Sequence, residues 1–169
     1  MLAKELGTKI AMKGLGLIYG GAQIGLMGEV ADAALENQGE VIGVIPESLA
    51  DREIAHSGVN SLIVTTDMHE RKRMMYDLAD AFIALPGGMG TLEEVFEAAT
   101  WTKLGMHRNG IYKPVVLLDN GEFWQDMIRF LDYQVSAGFV SQKSREIVCS
   151  AYTVDQAIEL AMKIPRINQ

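Results

Sequence analysis

The sequence is short of cysteine, of basic charge and of long apolar runs. Cys149 is the only cysteine in 169 residues, so no internal disulfide can form, and a reducing, cytoplasmic setting is the simplest expectation. No nucleophile signature flanks Cys149, which reads as a buried structural thiol. Lysine and arginine number 15 against 22 acidic residues, for a net charge of −7. Nucleic acid is thereby disfavoured as a partner, because a phosphate backbone demands clustered cations. The one basic cluster, Arg71-Lys72-Arg73, suits a single phosphate group. No apolar run approaches the ~20 residues that span a bilayer, and no stretch reads as a signal peptide. The histidines, His56, His69 and His107, share no ligand spacing with one another or with Cys149, so no metal site is expected. Repeats and low-complexity segments are missing too.

What is present is 49% hydrophobic residues, enough for a core in one domain spanning 1–169. Apolar runs of about five residues alternate with helical periodicity. Helices are expected at 2–13, 26–37, 68–78, 92–104, 123–138 and 154–163. Strands are expected at 16–19, 41–45, 61–64, 81–85, 114–118 and 147–149, with loops at 47–60 and 105–113. This pattern predicts an α/β fold, a Rossmann-like, doubly wound parallel sheet flanked by helices. Ligands of such folds bind at the carboxyl ends of strands. Gly20-Gly21, the 47–60 loop, Met68-His69-Glu70-Arg71 and Pro86-Gly87-Gly88 all follow strands and are expected to converge on one sheet edge. The chain opens on a helix where such folds usually open on a strand.

The segment Pro86-Gly87-Gly88-Met89-Gly90-Thr91-Leu92-Glu93-Glu94 carries the most information. A strand, a glycine turn and a helix N-terminus make a phosphate site, because glycines admit an anion close to backbone N–H groups. Thr91 and Glu94 also fit a capping box, which would explain one glutamate without any function. A second constellation is Asp67 to Met74. Asp67 is the expected N-cap there, and Arg71 and Lys72 oppose the helix dipole unless an anion lies nearby or the face is merely solvated. Gly20, Gly21, Gly25 and Gly28 form a third glycine-rich junction, out of register with a dinucleotide fingerprint. The 47–60 loop, with Glu53, is long enough to suggest function, although a solvated charge is its ordinary reading.

Arg71-Lys72 on a helix, followed by a strand and P-G-G-x-G-T-x-x-E, resembles the LOG family of cytokinin riboside 5′-monophosphate phosphoribohydrolases. Many of these were first labelled possible lysine decarboxylases. Y-G-G at 19–21, G-L-M-G at 25–28, D-M-H-E-R-K at 67–72 and T-W-x-x-L-G-x-H at 100–107 extend the likeness over nearly the whole chain. The resemblance implies a Rossmann-like fold, apparently lacking the family's first strand and its Gly-Ser loop. It implies hydrolysis of the N-glycosidic bond of a purine riboside 5′-monophosphate, AMP or an N6-substituted relative, to free base and ribose 5-phosphate. It implies Arg71 and Glu94 as catalytic residues. Gly87, Gly88, Gly90 and Thr91 would form the phosphate cradle, with Met89 and Leu92 in the same turn. Lys72, Glu53, Glu93 and Thr100 match ligand-contacting positions, and Gly20, Gly21 and Met27 would border the site. Homodimers or larger homo-oligomers are implied, with the site near the interface and no cofactor. An alternative is a non-catalytic nucleotide- or cofactor-binding protein similar to molybdenum-cofactor carriers. No lysine sits in a pyridoxal phosphate motif, so decarboxylation is a poor reading.

Overall fold

The computed structural model describes residues 2–50 and 55–163. The chain forms two compact units, Met1–Ala79 and Asp80–Gln169.

The first unit runs α1 (Leu2–Met12), β1 (Leu17–Tyr19), α2 (Gly25–Glu36), β2 (Val41–Pro46), α3 (Glu47–Ala50), β3 (Ser61–Thr65) and α4 (Met68–Leu78). Its strands pair in parallel in the order β1-β2-β3, with Leu17 opposite Val41 and Ile42 opposite Ser61. Val41, Val44 and Ile45 of the central strand are fully buried. α1 packs on α2 so closely that a Cβ on Gly7 would collide with the Val30 carbonyl. Leu6, Ile10, Val30, Ala31 and Ala34 are buried in these two helices. β3 is an edge strand whose Leu62 and Val64 are exposed.

The second unit runs β4 (Phe82–Ala84), α5 (Met89–Leu104), a 3₁₀ turn (Arg108–Gly110), β5 (Val115–Leu118), α6 (Gln125–Ser136), α7 (Gln142–Arg145), β6 (Val148–Ala151) and α8 (Val154–Met162). Its strands are parallel in the order β4-β5-β6. β5 is buried along its whole length, and Val154 and Ile158 of α8 complete this core. Thr153 caps α8 by accepting from the Gln156 N–H at 3.2 Å.

The parallel α/β architecture matches the alternation in the sequence, with the strands grouped as two three-stranded sheets. Three local features differ from expectation. The 47–60 segment holds the short helix α3, and Ala55 forms an antiparallel bridge with Ala22. α5 starts at Met89, not Leu92. α7 has no apolar periodicity to announce it, and its hold is the Ser141 cap on the Ser144 N–H.

Candidate functional site

In the first unit the carboxyl end of β1 runs into Gly20-Gly21, and the end of β3 runs into α4. Asp67 caps α4 by accepting from the Glu70 N–H at 2.8 Å, as its residue type predicts. Glu70 reaches back to the N–H and the hydroxyl of Thr66, both at 2.7 Å. A reciprocal cap of this kind fixes where the helix begins and therefore where Arg71 points.

Arg71 and Lys72 are buried, at 6% and 7% exposure, which rules out a merely solvated basic face. The Arg71 guanidinium donates from Nε to the Val44 carbonyl at 3.0 Å and from Nη2 to the Gly20 carbonyl at 3.1 Å. Nη1 lies 3.5 Å from the Met68 sulfur. Among the described residues these partners include no carboxylate. A buried cation held only by neutral dipoles is a ready acceptor of an anion, because burial costs a charge dearly unless it is compensated. Gly20 is buried, and a Cβ there would collide with Nη2, with the Met27 sulfur next in line. Met27 is half-buried and His69 is exposed. Glu53 lies outside the described residues.

In the second unit the turn after β4 enters α5 with Gly88 as N-cap and no side chain to cap it. The Thr91–Glu94 capping box is therefore corrected. Thr91 is the third helical residue, inside the first turn, because the helix starts three residues earlier than its apolar periodicity suggests. The first closing backbone bond runs from the Leu92 N–H to the Gly88 carbonyl at 3.1 Å. The N–H groups of Met89, Gly90 and Thr91 precede it in the stretch where a helix has no internal partners.

The three glycines differ. A Cβ on Gly87 would collide with the Thr91 hydroxyl, so Gly87 exists to let Thr91 fold back over the turn. Among the described residues, a Cβ on Gly88 or Gly90 would meet nothing within 4 Å, and neither has a positive φ. Neither packing nor backbone conformation requires glycine there, and glycine early in a helix is a net cost. Bare backbone next to open space, at the positive end of a helix, is what close approach by an anion calls for. Glu94 is half-buried and Glu93 exposed, one turn further on; Leu92 is half-buried and Met89 is 82% exposed. Thr100 is exposed, and its hydroxyl donates to the Phe96 carbonyl at 2.7 Å, within its own helix.

Two buried polar arrangements went unforeseen. Thr102 donates its hydroxyl proton to the Lys113 carbonyl at 2.8 Å. Its 2.9 Å bond to His107 must then be donated by Nε2 of the ring. This pair fastens the 105–113 loop to the end of α5. Asp119, just past β5, accepts from the N–H groups of Gly121 at 2.6 Å and Trp124 at 2.8 Å, which shapes the entry to α6. The Cys149 thiol is half-buried, and burial pushes its pKa up, as suits a structural thiol. Among the described residues no group of three potential metal ligands occurs, and no helix is long and apolar enough to cross a membrane.

Residues 27–161 match the family model described as possible lysine decarboxylase. A cytokinin riboside 5′-monophosphate phosphoribohydrolase of Rhodococcoides fascians is 49% identical over 88% of this chain and 74% of its own length. The rice enzyme LOG is 46% identical over 96% of this chain and 64% of its own length. Arabidopsis thaliana LOG1 is 42% identical over 97% of this chain and 76% of its own length. The chain thus spans about two thirds to three quarters of these relatives. Among solved structures, a molybdenum cofactor binding protein from Rippkaea orientalis superposes with a TM-score of 0.70 at 28% identity, over 94% of this chain and 83% of that one. A molybdenum cofactor carrier protein from Chlamydomonas reinhardtii gives 0.68 at 28% identity, over 94% and 82%.

Proposed function

The chain belongs to the family described as possible lysine decarboxylase, the LOG family, and on that premise we propose that it hydrolyses the N-glycosidic bond of purine riboside 5′-monophosphates. The observation that carries this reading is the start of α5, where Gly88 and Gly90 present bare backbone to open space. A 5′-phosphate is the group this turn suits best. Buried Arg71, which meets two carbonyls and the Met68 sulfur and no carboxylate among the described residues, supplies the positive charge that a nucleotide's phosphate or ribose region calls for. Lys72, Thr91 and Leu92 are assigned to substrate binding on the same reading, as are Glu53, Met89, Glu93 and Thr100.

Cleavage breaks the bond between ribose C1′ and the base nitrogen. Positive charge builds on the sugar as that bond lengthens, and a carboxylate beside it stabilises the oxocarbenium-like state or orients the attacking water. Water oxygen bonds to C1′, its proton is released, the base leaves protonated at its nitrogen, and ribose 5-phosphate remains. Glu94 is assigned this role. Three residues past Thr91, it lies about 4.5 Å further along the helix axis on the same face, roughly the step from a phosphate to its sugar.

The likeness to molybdenum-cofactor carriers favours a second reading, a non-catalytic binder of a nucleotide or phosphate-bearing cofactor. Incubation with AMP followed by chromatography separates the two. Free adenine with equimolar ribose 5-phosphate is expected. AMP recovered intact but tightly bound would favour the carrier.

A further inference from the structure

The Gly20-Gly21 turn is held from two directions. The Gly20 carbonyl takes Nη2 of Arg71. The Gly21 carbonyl takes the backbone N–H of His56 at 2.9 Å, beside the Ala22–Ala55 bridge. The turn needs holding, because Gly21 has a φ of +80° and no side chain to anchor it.

The His56 ring is buried, at 3% exposure, and bonded at both nitrogens. The Gly58 N–H donates to Nδ1 at 3.1 Å, so Nδ1 carries no proton. Nε2 therefore carries it and donates to the Asp32 carboxylate at 2.9 Å. Asp32 sits on α2, the helix that follows the turn. The path from Gly21 through α2 to Asp32, across to His56 and back to the Gly21 carbonyl is a closed loop. An apolar residue could fill the volume of His56, but only a ring bonded at both ends dictates direction.

We propose that His56, oriented by Asp32, is a positioning residue. It fixes the Gly20-Gly21 turn and, through the Gly20 carbonyl, the guanidinium of Arg71, so that the arginine is aimed at the nucleotide's phosphate region before substrate arrives. This inference rests on the nucleotide 5′-monophosphate reading. Asp32 is half exposed on α2 and contributes by holding the ring, not by touching substrate.

The test compares His56→Leu, His56→Gln, Asp32→Ala and Asp32→Asn with the unmodified chain. Each is checked for folding by circular dichroism and thermal melting. The readouts are kcat and KM for AMP, and calorimetric binding of AMP and of adenosine, which lacks the phosphate. His56→Leu and Asp32→Ala are expected to raise KM and Kd for AMP about tenfold or more, with kcat changed less than about threefold and adenosine binding unchanged. Asp32→Asn keeps an acceptor for Nε2–H and is expected to behave like the unmodified chain. His56→Gln keeps a donor toward Asp32 and is expected to fall between. Adding Arg71→Lys to His56→Leu should cost little beyond Arg71→Lys alone. If His56→Leu fails to fold, the Asp32 pair decides. AMP affinity within about twofold of the unmodified chain in folded Asp32→Ala overturns the inference, as does an equal loss for adenosine and AMP. An unmodified chain that neither binds nor cleaves AMP instead overturns the nucleotide reading itself.

Discussion

The glycines of the two turns serve different ends. At Gly20 and Gly87 a side chain is missing so that another can occupy the space, Arg71 in one case and Thr91 in the other. At Gly88 and Gly90 nothing among the described residues occupies it. Gly90→Ala should therefore stabilise the unliganded protein by up to about 1 kcal/mol through helix propensity. It should at the same time weaken AMP binding. Thermal melting and calorimetry would show these opposite signs, and a gain in stability with unchanged affinity would count against the cradle. Gly20→Ala should weaken AMP binding by displacing the Arg71 guanidinium. Tyr19 offers a test of burial. Its hydroxyl is buried without a partner among the described residues, and burial, then the Asp32 charge, pushes its pKa from 10.0 up to about 12. The folded state holds that proton more tightly than the unfolded state. The resulting stability is present below pH 10 and lost as pH rises towards about 12. Tyr19→Phe should flatten that alkaline limb in a pH series of denaturant melts. The glycine turn and Asp67 were legible because each residue type has a local meaning. The burial of Arg71 and the bond of the His56 ring to Asp32 were not, since they depend on partners 27 and 24 residues away.

Among the elements, α4 and α5 begin in opposite ways. α4 is capped in both directions by Asp67 and Glu70. The Glu70 N–H holds Asp67 below its ordinary 3.8, and the Thr66 hydroxyl and N–H hold Glu70 below its ordinary 4.5. Depressed carboxylates stabilise the fold above their ordinary values, and that stability is lost as pH falls past 4.5 and 3.8 through the lower folded values. Asp67→Asn with Glu70→Gln should shrink the acid-side loss of stability, measured by denaturant melts between pH 6 and 3. α5 has no side-chain cap at its Gly88 N-terminus. Its sequence invited a capping box at Thr91 and Glu94, because the apolar period starts at Leu92 and the glycines before it look like a turn. Gly90 is already helical and Gly88 is the N-cap, so periodicity marked the packed part of the helix and missed its bare first turn. The strands were legible to within a residue or two, since short β-branched and apolar runs leave little choice. α7 escaped because four polar residues held by one serine cap have no period to detect.

At the scale of the molecule, the alternation of strand and helix foretold a parallel α/β protein, and the grouping into two three-stranded sheets required coordinates. Strand order is set by long-range pairing, which no local pattern encodes. The surface also shows something that periodicity hides. α5 carries apolar residues on its outer side, with Phe96 41% and Leu104 61% exposed, and Met106 just beyond it is 54% exposed. We propose that this surface is buried in a homodimer or larger homo-oligomer. Sedimentation equilibrium should give a mass of at least twice 18.5 kDa, and Phe96→Glu with Leu104→Glu should shift it towards the monomer. A monomer at all concentrations would remove the proposal of a site near an interface. The role proposed for Glu94 is to assist cleavage of the ribosyl bond in a nucleotide held by its phosphate. The most direct measurement is single-turnover release of adenine from AMP by the unmodified chain and by Glu94→Gln, with AMP affinity measured alongside. A loss of at least about 100-fold in rate with affinity largely kept is the expected result. Adenine release at an undiminished rate by Glu94→Gln would contradict it.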